Sequence, residues 1–224
     1  GGWISGRVPG LLGGGPAEVT LRAPAPLGVE MHCEFQHDEA RLYDPGPGAG
    51  VIVQARRVFR APEPPPFVPP EAAAAAATRF PGLAGHPFPG CVVCGVDRPD
   101  GTGLFIHPGP VPGEEGLVAA VWRVGSWLAG PDGTVPRAAV WAALDCPTAW
   151  VHIPALPAGQ VVLLGRITAQ VHRPVEPERD YVVVARTAGT EGRKAFADAA
   201  LYDTSGALVG VSRGTWIRVP ASGS

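Results

Sequence analysis

Along most of the chain, apolar and polar residues alternate over short runs that Gly and Pro interrupt. Alternation with period two and β-branched content predicts half-buried strands. Strands are predicted at 17–23, 28–35, 39–43 and 51–59, and later at 104–107, 116–122, 161–171, 181–187, 195–202 and 207–219. One stretch departs from this pattern. Residues 135–151 read V-P-R-A-A-V-W-A-A-L-D-C-P-T-A-W-V, and from Ala138 to Leu144 there is no charge. Alanine and leucine favour a helix, Pro136 suits a first turn, and an all-apolar helix is a buried one. At its end stands one carboxylate, Asp145, and Pro147 should kink or stop the helix there. A short buried helix among many strands implies an α+β layer architecture, with a long antiparallel sheet wrapped around the helix.

The chain also repeats itself. V-T-L-R-A-P-A-P-L at 19–27 is echoed by I-T-A-Q-V-H-R-P-V at 167–175, and A-R-L-Y-D at 40–44 by A-A-L-Y-D at 199–203. A Gly-bearing turn follows each L-Y-D (45–50 and 204–206), and a helix-like apolar segment precedes each first strand (3–12 and 140–150). Two matches in the same order indicate duplication. Three segments result: a truncated or degenerate lobe at 1–60, a Pro/Ala-rich linker at 61–85 with a short Ala helix near 71–79, and a full lobe at 86–220. The two lobes are expected to pair edge to edge as a pseudo-dimer within the chain, with a homodimer as a further possibility.

Composition narrows the function classes. A formal charge of −2 over 224 residues favours neither nucleic acid nor an anionic membrane as a partner. No apolar run approaches the ~20 residues of a membrane span, and the start lacks a signal-peptide layout, so a cytoplasmic protein is expected. Four cysteines are too few for a disulfide framework at this length. The basic residues are nearly all Arg, with Lys194 the one exception among 18, as a coding bias would give.

Taken together, the helix ending A-A-L-D-C-P-T-A-W, the segment C-V-V-C-G with Arg98-Pro99, Gly101 and Gly103-Leu104, the G-R-K hairpin at 192–194 and the closing strands A-L-Y-D-T-S-G-A-L-V-G-V-S-R-G-T-W resemble the hotdog-fold acyl-CoA thioesterases of the phenylacetate-pathway type. The resemblance covers 88–219 and reaches the first lobe only through the repeat. It implies a double hotdog, no cofactor, and an acyl-CoA or acyl-carrier thioester as the partner. It also implies that Asp145 is the helix carboxylate, acting as general base on water or as nucleophile. The alternative for Asp145 is a turn cap accepting near Thr148. By the same likeness Arg193 and Lys194 suit CoA phosphates, though basic residues are also ordinary in an exposed turn, and Arg213 is a weaker candidate for the same ligand. Arg137, Trp141 and Thr148 complete the expected substrate-binding set.

There is one departure. Such proteins carry a His-Gly-Gly-like segment leading into the helix, whose N–H groups polarise the thioester oxygen. Here that place holds Val135-Pro136-Arg137-Ala138, and proline has no N–H to donate. The first lobe's helix segment has no acid between Trp3 and Leu12, so at most one site can use a helix carboxylate. For Cys91 and Cys94, zinc would need further ligands such as His86 and His107, and no second C-x-x-C exists; no metal is expected. Cys146, without a nearby His, reads as a packing residue, and His152 and His172 as structural ones. Three classes follow: a thioesterase, preferred; a non-catalytic acyl-CoA or acyl-carrier binder; and a dehydratase or hydratase, which would need His172 or His152 beside an Asp.

Overall fold

The structure is a computed structural model and describes all residues except 14, 47–49 and 222–224. Ten strands form one antiparallel sheet in the order β2-β3-β4-β1-β7-β10-β9-β8-β6-β5. The first lobe supplies β1 (Ala17–Leu21), β2 (His32–Gln36), β3 (Glu39–Tyr43) and β4 (Val51–Arg57). The second supplies β5 (Gly109–Pro110), β6 (Leu117–Arg123), β7 (Gln160–Val171), β8 (Asp180–Glu191), β9 (Lys194–Asp203) and β10 (Leu208–Pro220). Outward from the centre, β1-β4-β3-β2 and β7-β10-β9-β8 are the same succession, so the repeat is a repeat of topology.

The register at the centre carries the symmetry. Val19 faces Ile167, Thr20 faces Arg166 and Glu18 faces Thr168. In the repeat Val19 corresponds to Ile167 and Thr20 to Thr168, so exchanging the lobes maps each of these pairs onto another or onto itself. The pseudo-twofold axis therefore passes between Val19 and Ile167, and both side chains are fully buried. Around it Arg166 reaches Thr20 Oγ1 at 3.0 Å and Glu18 at 3.4 Å, which joins the lobes by side chains as well as backbone.

Among the described residues four α-helices complete the fold: α1 (Gly2–Arg7), α2 (Pro70–Ala77), α3 (Arg137–Ala143) and α4 (Cys146–Trp150). Helix α3 and α4 are the predicted buried helix, broken where Pro147 enters the first turn of α4. Pro136 stands just before α3, as its N-cap. The sheet curls around them, and its enclosed face buries Trp122, Trp150, Leu144, Ile167 and Leu201. By its topology the chain is an α+β double hotdog.

Two details differ from the sequence expectation. Residues 104–107 form no strand: Phe105 has φ +51, and the N–H groups of Leu104 and Ile106 donate to Val92 and Val93 carbonyls at 2.8 and 2.9 Å instead of to a ladder. The segment 61–85 lies on the outer face of the second lobe, where Val68, Ala73 and Ala76 pack against Leu117, Val182, Val184 and Val211. Its fit is close, since a Cβ on Gly109 would fall 1.8 Å from the Ala76 carbonyl oxygen. The middle of the predicted turn at 45–50 lies outside the described residues.

Candidate functional site

Asp145 sits at the break between α3 and α4, where its N–H donates to the Ala142 carbonyl at 3.2 Å and its carbonyl accepts from the Thr148 N–H at 3.0 Å. Its residue is 3% exposed. It is not the turn cap considered above: α4 has no side-chain cap bond. The carboxylate instead reaches the other lobe, where the Gly2 N–H donates to Oδ2 at 2.6 Å, and the Gly1 nitrogen lies 4.0 Å away. Oδ1 is buried with no hydrogen-bond partner among the described residues. Burial pushes the Asp145 pKa up to about 6, while the Gly2 N–H holds the shift back.

Only glycine fits where α1 meets α3. A Cβ on Gly2 would lie 2.6 Å from Asp145 Cβ, and one on Gly6 would lie 2.6 Å from Ala138 Cα and 2.7 Å from Trp141 Cβ. A glycine pair, Gly1-Gly2, stands before and at the start of α1 in the other lobe. Sequence reasoning missed it by looking only within one lobe. The repeat held the signal, because Gly1-Gly2 leads into the first lobe's helix as 135–138 leads into the second's.

The remaining expected residues are scattered. Thr148 is fully buried; its Oγ1 donates to the Asp145 carbonyl at 2.6 Å and accepts from Trp216 Nε1 at 2.8 Å. Trp141 is 2% exposed and packs on α1. Arg137 stands at the mouth of a cleft of about 690 Å³, lined also by Thr134, Val140, His172 and Arg173, and donates to the Val171 carbonyl at 3.0 Å. Arg193 and Lys194 are exposed in the β8–β9 turn, where the Arg193 carbonyl accepts from Arg218 N at 2.8 Å. Arg213 is engaged by Asp198 through two bonds of 2.6 and 2.7 Å. His152 binds the Phe196 carbonyl at 2.9 Å, a structural role.

The Arg137 cleft and the basic turn are not one site. Val171, which Arg137 holds, pairs with Gly210, whereas Lys194 pairs with Ile217. At about 3.3 Å per residue the two lie roughly 23 Å apart along β10.

No protein-family model and no curated protein matches the chain. Among solved structures it is similar to a thioesterase of Haemophilus influenzae, at 18% identity over 54% of this chain and 82% of that one, with a TM-score of 0.46. It is also similar to a Bacillus halodurans protein crystallised with CoA (16% identity, 53% and 77% of the chains, TM-score 0.47). A third is the PaaI protein of the E. coli phenylacetic acid degradation operon (12% identity, 67% and 98%, TM-score 0.49). These likenesses extend over about half to two thirds of this chain.

Proposed function

We propose that the chain hydrolyses an acyl thioester of CoA or of a carrier protein at one composite site between its lobes. The second lobe supplies the carboxylate of Asp145, and the first supplies backbone N–H groups at the start of α1. The observation that carries this reading is the Gly2 N–H to Asp145 Oδ2 bond of 2.6 Å across the lobes, at a position with no room for any side chain. A backbone donor beside a dry carboxylate is the pairing that thioester hydrolysis uses.

The chemistry runs as an exchange of partners. The thioester oxygen takes the Gly2 N–H in place of Asp145 Oδ2. The freed carboxylate removes a proton from water, and the oxygen of that water adds to the carbonyl carbon. The resulting tetrahedral intermediate collapses, the C–S bond breaks, and the thiolate leaves with the proton from Asp145. At 3% exposure Asp145 is reached only when α1 shifts from α3. For the CoA phosphates the reading assigns Arg193 and Lys194, which are exposed and have no ion pair among the described residues. Their distance from Arg137 leaves that residue to the cleft at the opposite end of the helix.

A non-catalytic binder is favoured by one feature: Asp145 Oδ2 and the Gly2 N–H are already engaged with each other. Asp145→Asn separates the two readings in an acyl-CoA panel assayed with a thiol-trapping dye. As a general base its loss lowers hydrolysis by roughly 10²–10⁴ and leaves ester binding intact. An unaltered protein that binds an acyl-CoA and hydrolyses none is a binder.

A further inference from the structure

Beside this site lies a cluster that thioester chemistry does not use. The Sγ atoms of Cys91, Cys94 and Cys146 all lie within 4.8 Å of one another, and Cys91 and Cys146 are 3.6 Å apart. We propose that these three cysteines bind one zinc ion, joining the loop ahead of β5 to the α3–α4 break.

Geometry supports it first. Zinc–thiolate bonds of about 2.3 Å in a tetrahedron set sulfur atoms ~3.8 Å apart. A disulfide would bring them to about 2.0 Å, and all four cysteines are free. The loop is built to hold two of the three sulfurs. Gly95 N–H donates to the Cys91 carbonyl at 2.9 Å, and Asp97 N–H to the Pro89 carbonyl at 3.1 Å. A Cβ on Gly95 would stand 2.4 Å from both of those carbonyl oxygens, so the turn closes only around glycine. His86 steadies the second ligand, with Nε2 3.0 Å from the Cys94 carbonyl oxygen. The third sulfur comes from the first residue of α4 and is held by the helix break.

The electrostatics agree. The Cys91 and Cys146 sulfurs already lie within hydrogen-bonding reach of each other, and zinc binds such groups as thiolates. Directly before Cys146, Asp145 keeps Oδ1 buried and without a hydrogen-bond partner among the described residues. A divalent cation beside it lowers the cost of a buried negative charge. Zinc displaces the thiol protons as it binds, so its hold weakens with acid. Among the described residues no fourth His, Cys, Asp or Glu ligand atom joins the group, which leaves one position to a water or other small ligand. Cys91 is half-buried and gives the route in, whereas Cys94 and Cys146 are 3% and 9% exposed.

The test is the metal content of full-length protein purified under reducing conditions without a metal-chelating tag, then supplied with zinc and desalted. One zinc per chain is expected. It should fall to background in Cys91→Ser, Cys94→Ser and Cys146→Ser and stay in Cys33→Ser, whose residue lies on β2 away from the cluster. Cobalt(II) in its place should give the strong visible bands of a tetrahedral site and thiolate charge-transfer absorption. If Cys146→Ser does not fold, Cys91→Ser decides, because its side chain is only half-buried. The proposal is overturned by protein that takes up neither zinc nor cobalt, by zinc retained in Cys91→Ser, or by a Cys91–Cys146 disulfide in the reduced, zinc-supplied protein. None of these outcomes depends on thioester hydrolysis.

Discussion

The two lobes share one strand order and differ in how well they are covered. In the second, α3 and α4 fill the enclosed face and the 61–85 segment covers the outer one, so β8 buries Val182, Val183 and Val184 on both sides. In the first, the outermost strand β2 is five residues long and mostly exposed, with Phe35 51% open to solvent. Its helix α1 is six residues and carries no acid. The second lobe holds the carboxylate, while the first offers glycine and backbone N–H. The composite site proposed above would take one half from each lobe.

The contact between α1 and α3 is where that division is most easily broken. Gly6→Val places a branched side chain against backbone, 2.6 Å from Ala138 Cα, where neither element can yield. Overpacking of this kind costs about 1–3 kcal/mol or more, and urea melts should show it. The same change at Gly85, which has open space around it, should leave the midpoint almost unmoved.

A finer probe acts on the pseudo-axis. Ile167→Val should cost about 0.5–1.5 kcal/mol by leaving a small void. Val19→Ile alone should overpack. The double exchange should recover part of both losses, because the two residues face each other at the seam. Strict additivity of the melts would mean that the lobes do not meet through these side chains.

The smallest effect compares the matching turns. Asp203 accepts at Oδ1 from Ser205 N, Ser205 Oγ and Ala207 N at 2.9, 2.6 and 2.9 Å, and Arg173 lies 3.2 Å from its Oδ2. Asp44, its counterpart, accepts from Gly46 N alone among the described residues. The Ser205 hydroxyl, followed by the Ala207 and Ser205 N–H groups and Arg173, holds the Asp203 carboxyl below the ordinary aspartate value. Its stabilisation is therefore complete above the unfolded-state pKa and lost as pH falls through the lower folded one. Asp203→Asn should remove that slope from stability-versus-pH curves and cost no more than about 1 kcal/mol near neutrality, since the pair is largely exposed. Asp44→Asn should change less.

The strands, the buried helix and the repeat were legible because each writes a local pattern: alternation, an uncharged run, a recurring L-Y-D. Residues 104–107, L-F-I-H, have the apolar content of a strand, but the loop at 91–95 takes the Leu104 and Ile106 N–H groups, and a rival acceptor leaves no trace in composition. The candidate site was half legible. Asp145 stood out as the acid of an apolar helix. Its partner Gly2 lies 143 residues away and looks like any other glycine. Cys146 likewise joins Cys91 across 55 positions, a spacing that no metal motif uses. The meeting of Gly2 with Asp145 is a product of the seam, whereas that of Cys91 with Cys146 is made within the second lobe, by a loop folding back on the helix break.

That seam also sets an order of events during synthesis. Strand β1 is finished at Leu21, but its partner β7 is complete only at Val171. At roughly 5–20 residues per second, the ribosome takes about 8–30 s to deliver the intervening chain. Through that interval the nascent first lobe presents an unpaired inner edge, open to the same strand of a neighbouring chain on a polysome. Slow translation past the 61–85 segment would lengthen the exposure, and a chaperone that shields strand edges would act on this lobe before the second exists.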